Sequence, residues 1–93
     1  MTRLTGEQIS AALASLAGWK YGENAISKQF TLADFKTAMF FVNTAAGLAE
    51  LADHHPDILI TYKRVTMTLS THSEGGVTAK DIELAKQIEH AAA

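Results

Sequence analysis

Residues 31–52 read TLADFKTAMFFVNTAAGLAELA, and this run constrains the chain more than any other. Its apolar spacing predicts a helix from Thr31, with Asp34 in the first turn, to about Ala52. Phe35, Met39, Val42 and Ala46 fall on one side, while Phe40, Phe41, Leu48 and Leu51 point other ways. A helix apolar on more than one side is usually buried on more than one side. The chain has 93 residues, the length of one domain spanning 1–93. A domain of this size buries only about 60–65% of its unfolded surface and often gains from association. A subunit interface is therefore the expected second burial, in a homodimer or homotetramer.

Two further helical periods flank this run. In TGEQISAALASLAG, Thr5 with Gln8 three residues on makes a capping box. Ile9, Ala12, Leu13 and Leu16 form the stripe there, and Gly18 offers a stop. In TAKDIELAKQIEHAAA, Thr78 is the cap and Ile82, Ala85 and Ile88 the stripe. Between the helices lie strand signals. WKYGENAISKQF reads as a hairpin turning at Gly22, Glu23 and Asn24. ILITYKRVTMTLSTH is too long for one strand, so a turn near Lys63 and Arg64 is expected to split it. After that turn, Val65, Met67, Leu69 and Thr71 share one face, and Thr66, Thr68, Ser70 and His72 the other. The order is α-β-β-α-β-β-α. The fold class that satisfies it is α+β, two layers, with one four-stranded antiparallel sheet and three helices on one of its faces.

Composition narrows the function. A net charge of −2 provides no broad basic field, so direct nucleic-acid binding has little support. With no cysteine, disulfides, thiolate metal sites and cysteine nucleophiles are excluded. MTRLTGEQ lacks the apolar core of a signal peptide, and no apolar run approaches the roughly 18 residues that span a bilayer. A soluble cytoplasmic protein without membrane contact is expected.

The chemistry concentrates at DHHPDI, residues 53–58. Pro56 disfavours helical geometry at His55, so the long helix ends near His54 and the two imidazoles leave it in different directions. The helix macrodipole alone would favour a histidine there, by about 0.3–1 kcal/mol. His72 ends a strand among Ser70, Thr71 and Ser73, with Gly75 and Gly76 following. If the halves pack as proposed, the helix end and the strand end border one cleft. His90, in the last turn, reads as solvated. Glu50 lies one helical turn before His54 and could orient an imidazole, although an exposed pair at that spacing is common. Asp81 sits where an acid caps a helix in any protein. Imidazoles give and take protons near neutrality, so two of them on opposite sides of a substrate make an acid–base pair. Three histidines and a carboxylate are also legitimate zinc ligands. Adjacent histidines seldom point at one ion, however, and neither H-x-H nor H-x-x-x-H occurs. No G-x-S-x-G elbow supports a serine nucleophile.

These residues together resemble the pterin-4a-carbinolamine dehydratase family. Glu50, His54, His55 and Pro56 match E-x-x-x-H-H-P, and Tyr62, Arg64 and Val65 match the strand that follows. Thr68, Leu69, Ser70, Thr71 and His72 match T-L-S-T-H, and Gly76, Val77, Thr78, Lys80, Asp81 and Ile82 match G-[LV]-T-x-[KR]-D-I. Gly18-Trp19, Lys28-Gln29-Phe30 and Asp34-Phe35 extend the likeness over nearly the whole chain. Many relatives carry a large aromatic where this chain has Ile58, and an asparagine where it has Lys63.

The resemblance implies the layout derived above, a dimer or tetramer, and loss of water from a 4a-hydroxytetrahydropterin to give the quinonoid dihydropterin. That reaction recycles the cofactor of an aromatic amino acid hydroxylase pathway and uses neither metal nor cofactor. Carried over residue by residue, His54 and His72 are the acid–base pair and His55 orients the substrate. Glu50 and Asp81 support the imidazoles, while Asp53, Ser70, Thr71 and Ser73 line the pterin. Trp19 reads as packing. Some relatives also act as a dimerisation partner or coactivator of a transcription factor, so a non-enzymatic, regulatory protein-binding module stands as the alternative.

Overall fold

The computed structural model describes residues 2–92. Helix α1 (Gly6–Leu13) starts with both halves of the capping box, Thr5 Oγ1 accepting from Gln8 N and Gln8 Oε1 from Thr5 N. It ends earlier than the glycine suggested. Ser15 N bonds Ala12 O and Leu16 N bonds Leu13 O, so tight turns carry the chain to Gly18, whose φ is +87°. Strands β1 (Lys20–Gly22) and β2 (Ala25–Thr31) follow, joined by Glu23 and Asn24, both at positive φ. That pair of angles suits the right-handed twist of a two-residue hairpin.

Helix α2 spans Phe35–Ala52. Thr31 lies outside it as the last residue of β2, and Asp34 is its cap, accepting from Thr37 N at 2.8 Å. The Thr37 backbone N–H bonded to Asp34 holds that carboxyl below its ordinary value of 3.8. The buried face of α2 also differs from the expected stripe: it is Ala38, Phe41, Val42, Ala45 and Ala49. The mostly small residues of this row allow close packing over the sheet, which leaves Phe35 and Phe40 half-exposed or more.

Strands β3 (Asp57–Thr61) and β4 (Arg64–Leu69) form the second hairpin, turning at Tyr62 and Lys63, one residue before the expected place. Tyr62 takes φ +56°, unusual for so bulky a residue. The sheet order is β1-β2-β4-β3, antiparallel throughout. Val65, Met67 and Leu69 point into the core with Ile26 and Phe30, whereas Ser27, Thr66 and Thr68 lie on the outer face. A one-residue slip of β4 would drive Thr66 and Thr68 inward, so burial fixes the register. Met67 is fully buried, and truncating it to alanine would cost about 2–5 kcal/mol. Helix α3 (Ala79–Ala92) closes the core with Ile82, Leu84, Ala85 and Ile88.

Trp19 is packing with a polar tether. Its ring is buried edge-on to Phe30, and Nε1 donates to Glu89 at 2.9 Å. Ile58 packs against the core from the inner side of β3. Among the described residues, no helix is long and apolar enough to cross a membrane.

Candidate active site

Helix α2 closes on a left-handed residue, Asp53, with φ +49° and ψ +45°. Its N–H bonds Glu50 O, and the next N–H, from His54, reaches back to Ala49 O. This pair of bonds is a Schellman closure, and aspartate is among the few side chains that tolerate it. The reversal sends successive side chains to opposite sides. Pro56 then commits the chain to extended geometry, and β3 begins at Asp57.

His54 turns inward and is 9% exposed. Its Nε2 bonds Asp81 Oδ1, across 27 residues of sequence. Asp81 is wholly buried on the first turn of α3. Its other oxygen, Oδ2, accepts from Thr78 N and from Thr71 Oγ1, both at 2.8 Å. Thr71 Oγ1 lies 2.9 Å from Thr78 Oγ1, which also accepts from Lys80 N at 3.3 Å. One carboxylate thus caps a helix with one oxygen and anchors an imidazole with the other. Among the described residues, no buried side-chain nitrogen or oxygen lacks a partner.

His55 turns outward. Its Nε2 lies 3.0 Å from Glu50 Oε2, with side chains 57% and 75% exposed. Glu50 sits one turn before His54 in sequence, yet the left-handed Asp53 delivers it to His55.

His72 is the first residue of a 3-10 turn, His72–Glu74, rather than the end of β4. Gly75, at φ +72°, closes the turn by donating to His72 O. Thr71 and Gly76 exchange two backbone bonds, at 2.8 and 3.3 Å, which pinch the loop at its base. Arg3 lies over this loop so closely that a Cβ on Gly76 would meet its Cδ at 2.6 Å and displace that side chain.

His55 and His72 both line a cleft of about 500 Å³ on the outer, polar face of the sheet. Its floor is Ser27, Thr68 and Asp57, which the strand register places side by side on β2, β4 and β3. The Gly22–Ala25 hairpin forms one wall, tied to Ser70 by Ser70 Oγ donating to Asn24 O at 2.9 Å. Of the residues singled out in sequence, His55, His72 and Ser70 line the cleft. His54, Asp81 and Thr71 form the buried network, and Glu50 holds His55. Asp53 and Ser73 do not line the cleft. Sequence reasoning missed Ser27, Asp57 and the Glu23–Asn24 wall. The polar face of β4 was visible in its alternation, but its neighbours across the sheet depend on pairing.

The cleft has a volume typical of small-molecule sites, and it brings two imidazoles to one space over hydroxyl and carboxylate groups. Such a set can give and take protons on a polar ring. Among the described residues, no three histidine, aspartate or glutamate side chains converge as metal ligands.

Residues 2–91 match the family described as "Pterin 4 alpha carbinolamine dehydratase". Two relatives carry the name "Putative pterin-4-alpha-carbinolamine dehydratase". The one from Aquifex aeolicus is 41% identical, over 94% of this chain and 88% of its own length. The one from a Roseiflexus species is 48% identical, over 95% of both. A solved structure from Brucella melitensis, described as a "transcriptional coactivator/pterin dehydratase", superposes with a TM-score of 0.95 at 44% identity, covering 99% of this chain and 100% of the other. A "pterin dehydratase-like protein" described as a RuBisCO assembly factor of the alpha-carboxysome shares the fold, with a TM-score of 0.68 at 19% identity over 80% of this chain and 86% of its own.

Proposed function

This chain belongs to the pterin-4a-carbinolamine dehydratase family, and on that premise we propose that it removes water from a 4a-hydroxytetrahydropterin to give the quinonoid dihydropterin. The observation that carries the reading is the cleft with His55 and His72 on its walls. In the reaction the C4a–O bond breaks as an acid protonates the departing hydroxyl. A base takes a proton from the ring, so one proton is given and one received. Each positioned group of this kind contributes typically 10²–10⁴-fold. His54 and His72 are the proposed acid–base pair, with His55 orienting the ring from the cleft wall. Asp81 holds His54 and Glu50 holds His55, which supports their assignment as supporting groups. Ser70 is the proposed pterin contact among the hydroxyls.

The test is direct. A hydroxylase generates the 4a-hydroxytetrahydropterin, and its ultraviolet decay is followed with and without the protein after chelator treatment. Acceleration that survives the chelator is expected. No acceleration by the folded protein would overturn the reading. A 10²-fold loss in His55→Ala but not in His54→Ala would reassign the pair to His55 and His72.

A second reading draws on the outer side of α2, where Phe35 and Phe40 are 51% and 64% exposed beside Met39. This surface fits self-association into a homodimer or homotetramer, or a regulatory protein partner of the kind that the coactivator description of the Brucella melitensis relative names. Phe40→Glu should lower the oligomeric state in analytical ultracentrifugation. An unchanged mass would remove this face from the interface.

A further inference from the structure

With Asp81 ionised, the buried network around it has one consistent arrangement of hydrogens. An ionised carboxylate accepts and cannot donate. The Thr71 hydroxyl hydrogen is therefore spent on Asp81 Oδ2. Thr71 Oγ1 then has only lone pairs left, so the 2.9 Å contact with Thr78 must be a bond donated by Thr78. With its own hydrogen spent, Thr78 Oγ1 can only accept, and a donor stands ready in the backbone N–H of Lys80, in the first turn of α3. The chain of donors runs one way, from the helix start through Thr78 and Thr71 to Asp81. On the other oxygen, His54 Nε2 must supply the hydrogen. Nδ1 is left as the accepting nitrogen of the neutral ring.

We propose that Thr78 and Thr71 are positioning residues for His54: together with Asp81 they hold its ring in the Nε2–H tautomer and so present Nδ1 as a proton acceptor. Thr78 is wholly buried and Thr71 is 7% exposed, so water does not readily substitute for either hydroxyl. The helix cap alone would be satisfied by Thr78 with Asp81. It does not require Thr71, nor an imidazole on the second carboxylate oxygen. The inference deepens the dehydratase reading and rests on it only for the rate.

The test uses the full chain, ¹⁵N-labelled, with long-range ¹H–¹⁵N correlation of the imidazoles at a pH where the rings are neutral. His54 should show a protonated Nε2 and a bare Nδ1. A wild-type spectrum with the hydrogen on Nδ1 overturns the proposal without any variant. Thr78→Val should mix the two tautomers and lower kcat about 10-fold with little change in KM, the scale of groups that orient a functional imidazole. Thr78→Ser should restore both. If Thr78→Val keeps the single Nε2–H form and the wild-type kcat, the proposal fails. Should that variant not fold, Thr71→Val breaks the same chain one bond nearer Asp81 and is judged by the same two outcomes. If the wild type shows no dehydratase activity, the spectra still decide the tautomer, and only the enzymatic reading falls.

Discussion

His54 and His55 share a residue type, a helix end and a carboxylate partner on Nε2, but their surroundings differ. His54 is 9% exposed and reaches a carboxylate wholly out of solvent, which two other donors also hold. The His55 ring is 57% exposed and meets a glutamate that is 75% exposed. An exposed pair is screened and contributes about 0–1 kcal/mol. A buried carboxylate that loses its donors costs several times that. Burial, not residue identity or the presence of an acid, separates the two histidines.

The largest effect should come from breaking the buried side. Asp81→Ala removes the acceptor of three donors and should lower unfolding free energy by about 3–5 kcal/mol, read by urea denaturation. A loss under 1 kcal/mol would mean that the network is not a unit. Next, His72→Ala and His54→Ala should each lower kcat/KM by roughly 10²-fold, while His55→Ala should act at least partly through KM. Steady-state kinetics of the three variants side by side would show whether exposure predicts the role.

A smaller effect is expected at the residue that parts the two rings. Asp53→Gly should be tolerated, since glycine adopts positive φ freely. Asp53→Val should cost about 1–2 kcal/mol, because a β-branched side chain does not. Equal stability of the two variants would contradict the left-handed closure. On the exposed side, Glu50→Gln should change stability by less than about 0.5 kcal/mol and weaken further with salt.

The far end of the same helix sharpens the contrast between exposed and buried carboxylates. Asp34, fully exposed, is held below 3.8 by its bond to Thr37. A carboxyl lowered on folding stabilises the fold above its unfolded pKa, and the gain is lost as pH falls through the folded value. Asp34→Asn should therefore flatten stability only in the acid range below about pH 4. A carboxyl titration of Asp34 at or above 3.8 by NMR would remove the effect.

Much of this molecule was legible in the chain. The three helical periods, the Thr5–Gln8 capping box, the Thr78 cap and the inward row of Val65, Met67 and Leu69 all depend on neighbours within a turn or a strand, so a linear reading finds them. Pro56 likewise acts on the residue before it, which marked a helix end nearby. The helix closes earlier, however, at the left-handed Asp53, and it is that residue that parts His54 from His55. The sequence could not assign partners. Glu50 is spaced for His54 and binds His55, because one positive φ at Asp53 resets the direction of every later side chain. Asp81 finds His54 across 27 residues only once α3 has docked beside the end of α2. Ser27, Thr68 and Asp57 become one floor only through the register of three strands, which core burial sets. The core face of α2 was decided in the same way, by which small residues fit against the sheet rather than by which large ones avoid water. Local periodicity carries element type and caps. Contacts between elements depend on packing and on a few backbone angles, and those belong to the tertiary structure.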